Sequence, residues 1–255
     1  MDHQHWNDRG YLVVPAVLGA GEVQQLLVAI EEVLARRSSD HIVTQGNGAW
    51  KIAQAVAQTE GLDPLIDHPR VLPLLIELLG PFLQILGTEI FVREAGNGDE
   101  PLVPWHTDGG ATLARFFPVS GTPVLQMKAQ FFLTDLCDDD SGNFMLVPGS
   151  HRLPFVGESV RDAVQLRARA GDLLLFPWSL WHAVAPNRSG RVRKSITFRY
   201  GQLWSRPYDY ERLPPGVLAR MTRRQRRLFG DLGADVPPSS YFYVDEAEQT
   251  RILAG

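Results

Sequence analysis

Between residues 82 and 203 the chain is a series of short β-rich runs broken by clusters of Gly, Pro, Asn and Asp. The runs are FLQILGTEIFV, TPVLQMKAQFFLTDL, NFMLVPG, DLLLFPW, LWHAVAP and RKSITFRYGQLW. Short strands separated by turn signals predict a β-sandwich or jelly roll and argue against a βαβ fold. Helical patterning is confined to the two ends. After a short β segment, GYLVVPAV at 10–17, residues 21–37 carry Val23, Leu26, Leu27, Ile30, Val33 and Leu34 at helical spacing. A second helix is expected over 65–79, with Leu72, Leu75, Ile76 and Leu79 inward. Pro73 kinks it or begins its regular part, and Gly80-Pro81 ends it. The tail regains helical character over 214–232, where Arg220, Arg223, Arg224, Arg226 and Arg227 read as a solvated face. The expectation is one domain, 1–255, mainly β with added helices: a helical part to about 81, a β core to about 204, and a tail.

Composition narrows the function classes. Hydrophobic residues at 44% and charged residues at 21% are those of a globular chain. The single cysteine, Cys137, excludes an internal disulfide and cysteine-built zinc or iron–sulfur sites. No apolar run approaches the roughly 18–20 residues of a membrane span, and MDHQHWNDRG lacks the layout of a signal peptide. A reducing, cytoplasmic setting is therefore expected, with no membrane partner. A net charge of −4 implies no nucleic-acid partner. The only lysines are Lys51, Lys128 and Lys194.

Of the seven histidines, His106 stands in PWHTDGG. On an extended backbone His106 and Asp108 share a face, so an imidazole and a carboxylate can grip one metal ion from one side. Two His plus one carboxylate is the facial set that leaves positions open on iron(II). The third ligand is His151 or His182. His151 lies in a turn, VPGSHR, with no β run after it. His182 precedes the turn PNRSG and a further β run; a hairpin closing at Asn187 and Arg188 places Arg193 opposite His182. An arginine beside a metal is a clamp for the far carboxylate of a 2-oxo acid. Arg191 is its rival, two residues away.

The chain resembles the phytanoyl-CoA dioxygenase family of Fe(II)- and 2-oxoglutarate-dependent oxygenases. The resemblance rests on GYLVVP, DHPRVLPLLIELLGP, PWHTDGG, FFLTDLCDDDSGNFMLVPGSHR, GDLLLFPWSLWHAVAPNRSGRVRKSITFRYG and LPPGVLARMTRRQRRLFG, in order. It implies a double-stranded β-helix (jelly-roll, cupin-like) core, with His106, Asp108 and His182 as iron ligands. It puts the 2-oxoglutarate carboxylate on Arg193, with Ser195 assisting on the same face. By family position Gln130 is a cosubstrate contact where tryptophan is common, and Lys51 reaches the same region. Gln126 and Lys128 share the face of Gln130 and are candidate substrate contacts. Arg115, Phe116 and Phe117, in the loop after the HxD motif, are candidates for the pocket wall. Trp105 and Trp181 point away into packing.

The resemblance implies O2-dependent decarboxylation of 2-oxoglutarate coupled to oxidation of an unactivated C–H bond, most simply hydroxylation. The expected substrate is a small biosynthetic intermediate of bacterial secondary metabolism. Desaturation, epoxidation or cyclisation by the same site is the alternative. Asp108 speaks against a halogenase, and Arg193 against a cupin-like isomerase without 2-oxoglutarate. The complete ligand set speaks against a mere binding module. Oligomeric state is not legible.

Overall fold

The computed structural model describes residues 1–36, 42–44, 49–96, 99, 101–108, 124–153, 160, 162–231 and 247. Its strands form two antiparallel sheets. The larger runs, in spatial order, β1 (Leu12–Val14), β9 (Leu173–Pro177), β6 (Gln126–Phe132), β11 (Arg193–Gln202), β4 (Leu83–Arg93), β3 (Ala49–Ala53) and β2 (Ile42–Thr44). The smaller runs β5 (Val103–His106), β10 (His182–Val184), β7 (Phe144–Leu146) and β8 (Val164–Gln165). This is the expected jelly-roll core, mainly β with helices added.

Strand alternation sorts the side chains into two environments. On β11, Ile196, Phe198 and Tyr200 join the large core cluster, as do Met127, Ala129 and Phe131 of β6. On β4, Ile85 and Ile90 do the same. The opposite faces send Arg193, Thr197 and Arg199, Lys128 and Gln130, and Glu89, Phe91 and Arg93 into a cavity between the sheets. A smaller apolar cluster, including Phe132, Phe144, Leu146, Leu174 and Phe176, fills the rest of that interior. Both faces of these central strands are covered, so β4 reads as an almost unbroken buried run.

Helices cover the outer face. In α2 (Ala20–Arg36), Val23, Leu26, Ile30 and Val33 are buried, as the spacing predicts. The predicted helix over 65–79 is shorter. Residues Glu60–Leu65 form a 3-10 helix containing Pro64, and α4 (Leu72–Leu79) starts with Pro73 in its first turn. There proline's missing N–H costs nothing. The polar N-terminus forms an unpredicted helix, α1 (His3–Arg9). Asp2 caps it by accepting from the His5 N–H at 2.9 Å, Gly10 ends it at φ 78°, and Trp6 is buried. Between α2 and α4 lies the short α3 (Ala55–Gln58).

Two expectations are corrected. The tail forms α5 (Pro215–Arg220) and α6 (Arg223–Leu228); Arg223 is exposed as expected, but Arg220, Arg224 and Arg227 are not a solvated face. Arg220 donates to both carboxylate oxygens of Asp63 at 2.7 and 3.1 Å, and Arg224 reaches Asp67 at 2.6 Å. Arg227 is 2% exposed and donates to the Pro81 carbonyl. This face docks the tail on the body. Second, β10 and β11 are not a hairpin. Strand β10 pairs with β5 on one side and β7 on the other, leaving no free edge, so the chain crosses to the larger sheet before β11 begins. Buried Asn187 fixes the crossing, its Nδ2 donating to the carbonyls of Arg93, Glu94 and Arg191. Arg193 therefore faces His182 across the cavity instead of sitting beside it on a ladder. Among the described residues no helix is long and apolar enough to cross a membrane.

Candidate metal centre

His106 ends β5 and His182 begins β10, and the two are direct partners across that ladder. Their ring centroids lie 4.3 Å apart. Asp108, two residues past His106, is held by a backbone bond from its N–H to the Trp178 carbonyl at 3.0 Å. Its Oδ1 lies 3.9 Å from the Nε2 of each histidine. The three ligand atoms fall within 4.8 Å of one another, the only such grouping found among the described residues.

Both imidazoles are oriented by the same local device. The Nδ1 of His106 meets the Pro104 carbonyl and that of His182 the Leu180 carbonyl, each at 2.8 Å. A carbonyl only accepts, so Nδ1 carries the proton and Nε2 presents a lone pair inward. Burial pushes the His182 pKa down to about 3, which keeps the ring neutral, as a metal ligand must be. Phe144 stacks on it at 5.1 Å and Phe176 meets it edge-on at 5.0 Å. Burial of Asp108 opposes ionisation, but the cations of Lys128 and Arg199 outweigh it and hold the carboxyl well below its usual range. Lys128 Nζ sits 2.5 Å from Asp108 Oδ1.

The cavity in front of these groups, about 140 Å³, is lined from both sheets. Several of its surrounding polar atoms are buried without a hydrogen-bond partner: Asp108 Oδ2, Gln130 Nε2, Arg193 Nε, Ser195 Oγ and Thr197 Oγ1. Such atoms are rare in native interiors, and a cluster of them calls for a polar ligand. A dicarboxylate held at one end by a metal and at the other by Arg193 fits that donor set. A larger cleft of about 720 Å³, between α2 and the 3-10 helix, lies elsewhere and contains no grouped metal ligands among the described residues.

Other expected residues fall in different places. Lys51, on β3, lines the cavity and pairs with Glu89. Lys128 and Gln130 line it from β6. Gln126, at the start of β6, is bonded instead to the Tyr208 hydroxyl at 2.6 Å and is not part of the lining. Ser195 shares the inner face of β11 and is fully buried behind the lining. Arg115, Phe116 and Phe117 lie outside the described residues. Trp181 is buried, as expected, whereas Trp105 is only partly so. His151 sits in a 3-10 turn against Gly10, where any Cβ would collide with its ring, so it packs α1 onto the body.

Sequence reasoning missed Glu89, Arg93 and Arg199. Glu89 is 4% exposed, and Arg199 approaches it at 3.3 Å from one side with Lys51 on another. Burial resists its ionisation, while Arg199, Lys128 and Lys51 together lower its pKa. The signal was present in the period of two: Glu89, Phe91 and Arg93 share one face of β4, and Arg199 continues the face of Arg193.

Comparison with known proteins agrees with this geometry. The family model of phytanoyl-CoA dioxygenase (PhyH) matches residues 6–195. An uncharacterised Mycobacterium tuberculosis protein is 33% identical over 39% of this chain and 38% of its own length. The ectoine dioxygenase of Bordetella bronchiseptica is 27% identical over 62% of this chain and 52% of its own. The matched regions thus span about four- to five-tenths of these relatives. The crystal structure of SnoN, an α-ketoglutarate-dependent epimerase of nogalamycin biosynthesis, superposes with a TM-score of 0.66 at 28% identity, covering 80% of this chain and 83% of that one. SnoN has also been solved with Fe3+, α-ketoglutarate and nogalamycin RO. With a family match over three quarters of its residues and a grouped His-Asp-His face in the matching fold, the chain belongs to the phytanoyl-CoA dioxygenase (PhyH) family.

Proposed function

We propose that His106, Asp108 and His182 hold Fe(II), that Arg193 anchors 2-oxoglutarate, and that the site hydroxylates an unactivated C–H bond of a small biosynthetic intermediate. The observation that carries this reading is one cavity that joins the His-Asp-His face to a buried guanidinium whose Nε has no hydrogen-bond partner. Bound there, iron and 2-oxoglutarate supply O2 activation and oxidative decarboxylation to succinate and CO2. The protein's part is placement. The Pro104 and Leu180 carbonyls fix both imidazoles, and Lys128 keeps Asp108 ionised and aimed inward. Arg193 takes the far carboxylate, with Gln130 Nε2 and the Ser195 and Thr197 hydroxyls as further donors. Phe144 and Phe176 keep water from the metal side.

The same centre can desaturate, epoxidise or close a ring when the substrate is placed differently. The likeness to SnoN supports a substrate of natural-product size. The chain works as one domain, a reading supported by the core cluster that helices from both ends share over the larger sheet. A reducing, cytoplasmic setting is supported by the free, exposed Cys137.

The test is a metabolite-library screen read by succinate release above the background with 2-oxoglutarate alone. Product mass then distinguishes a gained oxygen atom, two lost hydrogens and an unchanged formula. Succinate release that persists undiminished in His182→Ala would overturn the assignment of the centre.

A further inference from the structure

The inner face of β11 carries two cavity arginines with different surroundings. Arg193 opens the strand and is buried; Arg199 follows on the same face, about 20 Å further along the backbone, and is partly exposed. Arg199 is the direct partner of Lys128 on β6, and Lys128 touches the candidate metal ligand Asp108. Arg199 therefore marks the metal end of the cavity. Any substrate oxidised at the metal must lie within reach of this end.

Charge at the metal end is not balanced. Among the described residues it holds three cations, Lys51, Lys128 and Arg199, and two carboxylates, Asp108 and Glu89. Lys128 pairs with Asp108, while Lys51 and Arg199 share Glu89. Iron(II) and the 2-oxoglutarate dianion cancel one another, so one positive charge stays in excess here once both are bound. A single negative charge on the substrate balances it.

Arg199 is also held as a ready fork. Its guanidinium lies over the Tyr208 ring at 4.7 Å, and the Tyr208 hydroxyl donates to Gln126 Oε1 at 2.6 Å. The backbone beneath Tyr208 is tied down: its N–H donates to the Leu86 carbonyl at 2.6 Å, and the neighbouring Asp209 carboxylate accepts from the N–H groups of Thr88 and Gln54 at 3.0 and 2.9 Å. Among the described residues only Glu89 takes a hydrogen bond from Arg199, at 3.3 Å. Most of the N–H donors of the guanidinium are thus left for a ligand.

We infer that Arg199, positioned by Tyr208, is a specificity-determining residue that takes a carboxylate of the primary substrate, so that the site prefers a monoanionic acid to its neutral counterpart. This rests on the assignment of iron and 2-oxoglutarate given above.

The experiment saturates the anaerobic protein with Fe(II) and 2-oxoglutarate and titrates it by calorimetry with benzoate and with benzamide, which share a shape and differ in charge. Wild type should bind benzoate about ten-fold or more tightly than benzamide. Arg199→Met should erase that preference and keep its affinity for 2-oxoglutarate. No preference for benzoate in wild type, including no binding at all, overturns the proposal, as does a preference that survives in Arg199→Met. A loss of 2-oxoglutarate affinity in Arg199→Met also overturns it, by making Arg199 a cosubstrate residue. Arg193→Met, run alongside, tests the underlying assignment separately: undiminished affinity for 2-oxoglutarate there would sink the reading of Arg193. Should Arg199→Met not fold, Tyr208→Ala, at a position 50% exposed, replaces it. Weaker benzoate binding with benzamide unchanged then supports the proposal, and wild-type affinity for benzoate overturns it.

Discussion

On the ten residues of β11, Ile196, Phe198 and Tyr200 enter the core beneath the helices, while Arg193, Thr197 and Arg199 line the cavity with Ser195 among them. The same backbone thus serves two purposes. The helix side removes hydrocarbon from water, and its residues stabilise the fold. The cavity side gathers buried charge and orphaned hydroxyls, which cost stability until a ligand arrives. If that division is right, substitutions on the two sides must fail in different assays.

The largest expected effect is on the cavity side. His182→Ala and Asp108→Gly should each lose nearly all iron and turnover while melting close to wild type, read by metal analysis and calorimetry. His151→Ala should keep its iron, because that ring only packs α1. The reverse pattern would break the assignment.

Next comes the helix side of β11. Phe198→Ala should destabilise the fold by about 3–5 kcal/mol through cavity formation. Ser195→Ala, three residues away on the other face, should stay within about 1 kcal/mol of wild type because the lost hydroxyl has no partner. Urea unfolding of the two variants side by side measures the contrast directly.

Arg193→Ala should raise the KM for 2-oxoglutarate by about 30- to several-thousand-fold, equivalent to about 2–5 kcal/mol, and leave iron binding largely intact. Arg191→Ala should be nearly neutral, since Arg191 is exposed and precedes the strand. A large loss confined to Arg191→Ala would refute the placement of the anchor.

The smallest effect concerns pH and a helix-side residue. Burial lowers the pKa of His68 below 6.5, with Glu22 opposing. The unfolded chain therefore takes up that proton first, so stability is retained above pH 6.5 and declines as pH falls below it. Apoprotein melting temperatures across that window should slope less in His68→Gln; an unchanged slope would exclude His68 as a contributor.

The period of two made the β core legible, and the His-x-Asp pair with a later His-to-Arg spacing made the centre legible. The relation of His182 to Arg193 was not. Turn residues at 186–190 are compatible with either a hairpin or a sheet crossing, and the choice depends on β5 and β7 already occupying both edges of β10. The tail was misread for a similar reason. Whether Arg220 and Arg224 meet solvent depends on Asp63 and Asp67, 157 residues earlier in each case, which no local pattern reveals. Glu89 and Arg93 were hidden inside a strand that otherwise reads as hydrocarbon.

The lysine placement has a practical outcome. Of the three ε-amines in the chain, Lys128 is 11% exposed, Lys194 is 16% exposed and paired with Glu31, and Lys51, at the cavity wall, is 28% exposed. Among these ε-amines, amine-directed dyes, crosslinkers or resin coupling will thus react chiefly at Lys51, on the cavity wall. Tethering through Lys51 would place the linker at the cavity wall, and a thiol tether at exposed Cys137 avoids it. Conversely, protection of Lys51 from an acylating reagent offers a label-based footprint of ligand occupancy that needs no turnover.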